Sequence, residues 1–319
     1  MLDEPMWQTG PERGRGGMRR LEHVVTEAEE NRTVKSLVLR KMQVSRGQYS
    51  RLKFAGGVLV DGRPARADER LAAGQKLTLI LQDGAQARLT PCDMELSIPY
   101  RDEDYLILDK PAPLPTLCSA RQSGPTLENA LYRMMGCPDA FVFRPVNRLD
   151  KGTSGLLAAA LNPHAQQLLQ RRLHTGQFIR EYLAVCRGVP PREEGIIDLP
   201  IGRAAGVKRE IRPDGQRAVT RYRVEQAAGG LSLVRLRLET GRTHQIRVHL
   251  AALGCPVAGD YLYGAPDPRL PGRFALHAAY LSFIHPLTGQ EISAVSPLPA
   301  ACAALLPGCK ETVNSPLPN

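Results

Sequence analysis

Tryptophan occurs once in these 319 residues, and aromatic residues together make up only 5% of the chain. Rings are too few for a broad platform on which successive bases of a single strand would stack. No apolar run approaches the roughly 20 residues that a membrane helix requires, so no spanning segment is expected. The cysteines (Cys92, Cys118, Cys137, Cys186, Cys255, Cys302 and Cys309) form no Cys-x-x-Cys pair. An odd count without metal-ligand spacing reads as free thiols in a reducing compartment. The N-terminus mixes Asp3, Glu4, Pro5 and Arg13 and has no apolar segment of the signal-peptide kind, so a cytoplasmic protein is expected. There is no internal repeat, and no Gly-x-Gly-x-x-Gly loop that would cradle a dinucleotide.

What the chain does have is positive charge. Lysine and arginine number 42 against 32 acidic residues, a formal net charge of +10, and the isoelectric point lies near 9.5. That balance points to a polyanionic partner, with nucleic acid ahead of a membrane surface. A hydrophobic share of 43% is ordinary for a globular protein, and the length suits one sizeable domain plus a smaller one.

Residues 1–20 are rich in Gly, Arg, Pro and Glu without apolar periodicity, and read as a flexible tail. A small unit is expected over 21–83. In it Thr33 caps a helix carrying Val34, Leu37, Val38 and Met42. Ser45 and Gln48 make a capping-box pattern for a second helix through Lys53. Val58 to Val60 then runs into Asp61-Gly62, a hairpin turn signal, and Leu77 to Leu81 supplies another strand. A polar linker is expected over 84–96, the main domain over 97–306 and a frayed tail over 307–319. In the main domain Tyr105 to Leu108 reads as a strand, and Thr126 caps a helix. Asn162-Pro163 opens another helix, because proline is tolerated at the first helical position. Ile179 to Cys186, Val219 to Val224 and Leu231 to Leu238 read as strands, and Pro190 to Ala218 as a basic loop. Thr243 is expected to cap a helix from His244 to Leu253, with short strands following from Phe274 to Ile292. Strands and short helices without regular alternation argue for an α+β fold with a largely antiparallel sheet.

The stretch Asn147-Arg148-Leu149-Asp150-Lys151-Gly152-Thr153-Ser154-Gly155-Leu156-Leu157 places one carboxylate in a tight turn before an apolar strand. Such a turn suits catalysis, since the strand fixes the backbone; an aspartate that merely closes the turn on nearby N–H groups is the plain alternative. The stretch resembles the central motif of the pseudouridine synthases of the RluA type, His-Arg-Leu-Asp-x-x-Thr-Ser-Gly-Leu, with Asn147 in place of the histidine. Further matches follow in family order: Lys110-Pro111, Arg180 to Ala184, Thr240 to His249, Gly259 to Gly264 and Leu276-His277-Ala278. They span roughly Ile98 to Gly289, about two thirds of the chain.

The resemblance implies a mixed, largely antiparallel sheet cleft by the active site, with Asp150 as catalytic residue. It implies that Arg247 pairs with Asp150, and that Tyr182 packs on the target base and helps remove the proton from carbon five. It also implies that Arg148 fills the place of a flipped nucleotide. Read alone, Arg247 is a solvent-facing helix arginine and Tyr182 a core tyrosine. Isomerising uridine oxidises nothing and imports no group, so no cofactor is expected. His244 and His249, five apart on a helix, do not share a face, and no metal site is expected. Two short helices followed by a hairpin resemble the S-four-type RNA-binding fold; Arg46, Arg51, Lys53, Arg63 and Arg66 would form its basic face. These charges otherwise simply solvate the surface. A monomer acting on ribosomal RNA, with transfer RNA as the other target, is expected. The alternatives are an RNA-binding or ribosome-assembly factor that has lost the chemistry, and a glycosidase of small nucleosides. The intact set of Asp150, Tyr182 and Arg247 argues against the first, and the basic N-terminal unit against the second.

Overall fold

The computed structural model describes residues 19–81, 89–119, 124–306 and 308. The expectations for the N-terminal tail over 1–18, for the end of the small unit and the start of the linker over 82–88, and for most of the C-terminal tail lie outside the described residues, as does Cys309.

Near the N-terminus, the strands Arg19–Val24, Lys76–Leu81, Val58–Val60 and Arg63–Pro64 lie side by side in that order as one antiparallel sheet. Arg19 and Arg20, expected within the tail, are therefore strand residues, because they pair with Leu81 and Ile80. Asp61 and Gly62 turn the hairpin with both φ angles positive, at 47° and 80°, as the tight mirror-image turn demands. The helices Val34–Arg40 and Arg46–Phe54 begin at Thr33 and Ser45, whose hydroxyls accept from the N–H groups of Ser36 and Gln48. Leu37, Val38, Leu52, Val60, Leu77 and Leu79 belong to a core that draws only on this part of the chain.

The main sheet has ten strands. Its order is Glu194–Asp198, Val219–Ala228, Leu231–Leu238, Phe178–Arg187, Leu276–Ile284, Ser154–Ala160, Tyr105–Lys110, Ser97–Arg101, with Arg144–Pro145 and Glu291–Val295 branching from it. All its pairings are antiparallel except one, where His277 and Ala278 run parallel to Ser154 and Gly155. The fold is thus the mixed, largely antiparallel α+β architecture expected.

Alternation of side chains along each strand divides the core between the two sheet faces. Leu106, Leu108 and Leu157 face one cluster, while Tyr105, Ile107 and Leu156 face the other. The helix Leu127–Met134 begins at Thr126 and the helix Pro163–Arg172 at Asn162, each capped through its side chain.

Three departures from the sequence expectation matter. Pro190 to Ala218 is not a plain loop: Glu194–Asp198 extends the sheet edge, and Ile201–Arg203 pairs with Arg209–Ile211. Thr243 does not cap the next helix. The chain turns left-handed at His244, φ 59°, and the helix is Gln245–Ala252. Its start is held by the Gln245 amide, whose oxygen accepts from Arg242 N–H and Thr240 Oγ and whose nitrogen donates to Val219 O and Thr220 Oγ. Finally, the described end of the connector is docked. Leu89, Met94 and Leu96 pack on the main core, and Asn129 bonds Thr90 O and Cys92 N–H.

Candidate active site

Asp150 sits in the turn that leads into Ser154–Ala160, and three neighbours fix that turn from outside. The Thr116 hydroxyl donates to Leu149 O at 2.8 Å, and Leu114 N–H to Lys151 O at 2.9 Å. The fully buried Lys110 ammonium donates to Leu114 O, Pro111 O and, more weakly, Lys151 O. Burial pulls Lys110 down to about 7 while the nearby Asp150 charge works the other way. From the other side Phe274 presses on Gly152, where a methyl group would stand 2.6 Å from the ring. Gly155, with φ 104°, lies where a Cβ would meet Ala278 O at 2.3 Å. Glycine alone permits the parallel pairing that closes the sheet at this point.

The Asp150 carboxylate is not used to close its own turn. Its Oδ2 accepts from Arg247 Nη1 at 3.0 Å, and it retains 28% side-chain exposure. Among the described residues its Oδ1 has no hydrogen-bond partner. Arg247 is buried and sandwiched, with its guanidinium carbon 4.2 Å from the Phe274 ring centre and 5.0 Å from that of Tyr263. The remainder of its fork clasps the wholly buried Asp260, Nε to Oδ2 at 2.7 Å and Nη2 to Oδ1 at 2.9 Å. Burial opposes the charge on Arg247, but the hydrogen bonds and charges of Asp260 and Asp150 outweigh it and raise its affinity for the proton.

His244 completes the cluster, with Nε2 at 3.8 Å from Asp150 Oδ2. Its Nδ1 lies 2.8 Å from the Tyr263 oxygen, which itself accepts from Arg209 N–H. The phenol hydrogen is then free to go to Nδ1, which places the imidazole hydrogen on Nε2, toward Asp150. Burial depresses the His244 pKa, with Asp150 opposing and Arg247 assisting, so the neutral ring is favoured. Tyr182 is buried on the strand Phe178–Arg187; burial and the Asp150 charge push its phenol up, with Arg180 opposing them.

Asp150, Arg247 and Tyr182, expected together, belong to one neighbourhood. Arg148 is exposed beside Asp150 and has no partner among the described residues. Asn147, which stands where the resembling motif has histidine, accepts from Ala158 N–H at 2.9 Å. It is a backbone support, and its buried Nδ2 has no partner among the described residues. Arg46, Arg51, Lys53, Arg63 and Arg66 all lie exposed on the N-terminal unit, and Arg63 is engaged by Glu69. Asp260 and Tyr263 were missed as site residues. Their only signal was the stretch Gly259 to Gly264, which carries no clue that Asp260 meets an arginine 13 residues earlier. His249 points elsewhere, between Thr220 Oγ and Leu199 O. Among the described residues no three His, Cys, Asp or Glu side chains cluster to hold a metal ion, and no helix is long and apolar enough to cross a membrane.

Residues 104–252 match the RNA pseudouridylate synthase family. An uncharacterized RNA pseudouridine synthase of Mycobacterium bovis is 38% identical over 274 residues, covering 82% of this chain and 89% of the relative. The ribosomal large subunit pseudouridine synthase D of Xanthomonas campestris is 37% identical over 288 residues, covering 84% and 86%. Among solved structures, human RNA pseudouridylate synthase domain containing 1 superposes with a TM-score of 0.52 at 30% identity, over 64% of this chain and 83% of that one.

Proposed function

The chain belongs to the RNA pseudouridine synthase family, isomerases of uridine in RNA, and from that premise we propose that Asp150 is its catalytic carboxylate. One observation carries this: Arg247 holds a single oxygen of Asp150 and leaves the other free beside a partly open surface. A carboxylate fixed in this way can attack the anomeric carbon, breaking the bond to N1 while the uracil departs with the electron pair. It can equally take the adjacent sugar proton and give a glycal. In either route the uracil turns, carbon five bonds to the sugar, and the proton on carbon five is lost as N1 gains one. A departing uracil carries its own negative charge, so the second carboxylic acid of a glycosidase is dispensable.

Arg247 orients Asp150 through the bond to its Oδ2. Tyr182 is a neutral phenol at rest, because burial disfavours its anion, so its first service to a bound uridine is packing against the ring. Arg148, exposed and uncommitted, suits the gap left by a flipped nucleotide, and flipping is required because a stacked uridine hides its glycosidic bond.

The target we favour is an unpaired loop of large-subunit ribosomal RNA, consistent with the name of the Xanthomonas relative and with the general legibility of unpaired RNA. The unit around residues 21–83, with its helix pair and hairpin, suits an S-four-type RNA-binding role. A catalytically silent binding factor is the competing reading, and the intact cluster argues against it.

Tritium release from RNA labelled at carbon five of uridine tests the assignment. Asp150→Asn is expected to abolish release while melting temperature and RNA affinity stay near wild type. Comparable turnover by the variant would remove Asp150 from the mechanism, and free uracil in place of pseudouridine would indicate hydrolysis.

A further inference from the structure

We propose that the groove between the N-terminal unit and the helix Pro163–Arg172 is a second RNA site, one that grips phosphodiester backbone away from the isomerised uridine. It rests on the RNA-modifying activity given above but not on the role of Asp150.

The groove has a volume of about 520 Å³ and is lined by Thr33, Ser36, Leu39, Val44 and Ser45 together with four cations, Lys35, Arg40, Arg46 and Arg171. Among the described residues no acidic side chain lines it. All four cations are exposed, and none is ion-paired with a described residue. Elsewhere in the same unit Lys41, Arg63 and Lys76 each face a carboxylate: Glu29, Glu69 and Glu22. Unpaired like charges gathered in one groove repel each other unless an anion joins them. Three of the four come from the N-terminal unit and Arg171 from the main domain, so the site exists only while the two stay docked.

The docking is specific. The Gln167 side chain, one turn before Arg171, accepts from Ser45 N–H at 3.0 Å and donates to Gln43 O at 2.8 Å. Ser45 heads the helix Arg46–Phe54, and its N–H would ordinarily be satisfied by the side chain three residues on. Here the main domain supplies that acceptor through the Gln167 side-chain oxygen. The helix cap is completed across the interface, which holds Arg46 and Arg171 in one groove.

The site lies well away from Asp150. Arg172, next to Arg171, donates to Ile284 O. Ile284 ends the strand that pairs with Ser154 at His277, about 20 Å along the sheet at strand rise. An RNA that reaches both places must therefore be larger than the target loop alone.

The test compares wild type with the triple substitution Lys35→Ala, Arg40→Ala, Arg171→Ala and with Gln167→Ala. Arg133→Ala, which removes a cation paired with Asp93, is the control. Affinity is measured against salt for a large structured RNA and for a short stem-loop carrying the target uridine. For the large RNA the triple variant is expected to bind about tenfold more weakly, with the slope of log affinity on log salt shallower by about 2. The stem-loop should bind almost as before, and Gln167→Ala should move in the same direction as the triple variant. Circular dichroism confirms that each variant is folded. An unchanged slope and affinity on the large RNA, or equal losses on both RNAs, overturns the proposal. If wild type isomerises neither RNA, the functional assignment falls while the binding comparison still decides the groove.

Discussion

Arg247 divides its fork between two carboxylates of unlike setting, Asp260 in the dry interior and Asp150 at the edge of solvent. That division predicts two separable effects. Arg247→Met leaves Asp260 buried without its counter-ion, and stranding such a charge costs roughly 3–5 kcal/mol of stability. It also releases Asp150 from its orientation, so turnover should fall. Adding Asp260→Asn removes the stranded charge, and most of the lost melting temperature should return. Turnover should stay low, since no donor is restored to Asp150. The cycle is read by thermal unfolding and tritium release on the four proteins. Recovery of both quantities together in the double variant would make Arg247 a purely structural residue. Histidine burial gives a second prediction at this scale. Burial pushes His164 and His277 down to about 4. His277 is held neutral between Ser154 Oγ and Ser296 O. In the unfolded chain both take up protons below about 6.5, before the folded protein does. Stability is therefore full above that pH and declines as the pH falls from about 6.5 toward 4, by roughly 3 kcal/mol per histidine if each shift is fully expressed. Urea unfolding midpoints across that window check it, and His164→Gln should flatten the decline. A decline confined to pH below 4 would assign the acid sensitivity to carboxylates.

Among the elements, the strand Ser154–Ala160 is the one on which the others depend. It is antiparallel to Tyr105–Lys110 and parallel to Leu276–Ile284, and the Asp150 turn opens it. Gly155 makes the parallel contact possible. Gly155→Ala would drive a methyl into the Ala278 backbone at a left-handed φ, so a loss of roughly 3 kcal/mol or more is expected in urea unfolding. A midpoint within error of wild type would show that the two strands can part without cost. Much at this scale was legible in the chain. Thr33, Ser45, Thr126 and Asn162 all cap where their side-chain chemistry and spacing placed them, because a cap depends on residues three apart. What escaped the sequence depends on distant partners. Glu194–Asp198 is a strand only because Val219–Arg223 offers an edge. The Ser45 cap is completed by Gln167 across 122 residues. Asp260 becomes part of the site only when Arg247 turns toward it. Local pattern carries the local contact, and the motif carried Asp150, but nothing in spacing alone reports a pairing made by the fold.

Among the described residues, the core of the N-terminal unit does not merge with those of the main domain. The buried apolar set of residues 25–81 is separate from the clusters of the main sheet. Between them run the Gln167 hydrogen bonds and the chain itself. Cutting ahead of Leu89 keeps the anchors Leu89, Met94 and Leu96 on the main core, whereas a cut beyond Leu96 strips that apolar cover. A protein spanning residues 89–319 is therefore expected to fold, melting within about 4 °C of the full chain, since among the described residues it forfeits little more than the two Gln167 hydrogen bonds. Starting after Leu96 should cost several degrees more. The shorter protein should still isomerise a small stem-loop, because every residue of the Asp150 cluster remains. Its affinity for large RNA should weaken and become less salt-dependent, as phosphate contacts are lost with Lys35, Arg40 and Arg46. Thermal melting, stem-loop turnover and salt titration on the two truncations distinguish the outcomes. An insoluble or unfolded 89–319 protein would mean that the main sheet needs the N-terminal unit for its stability, and that the two parts of the chain fold as one unit.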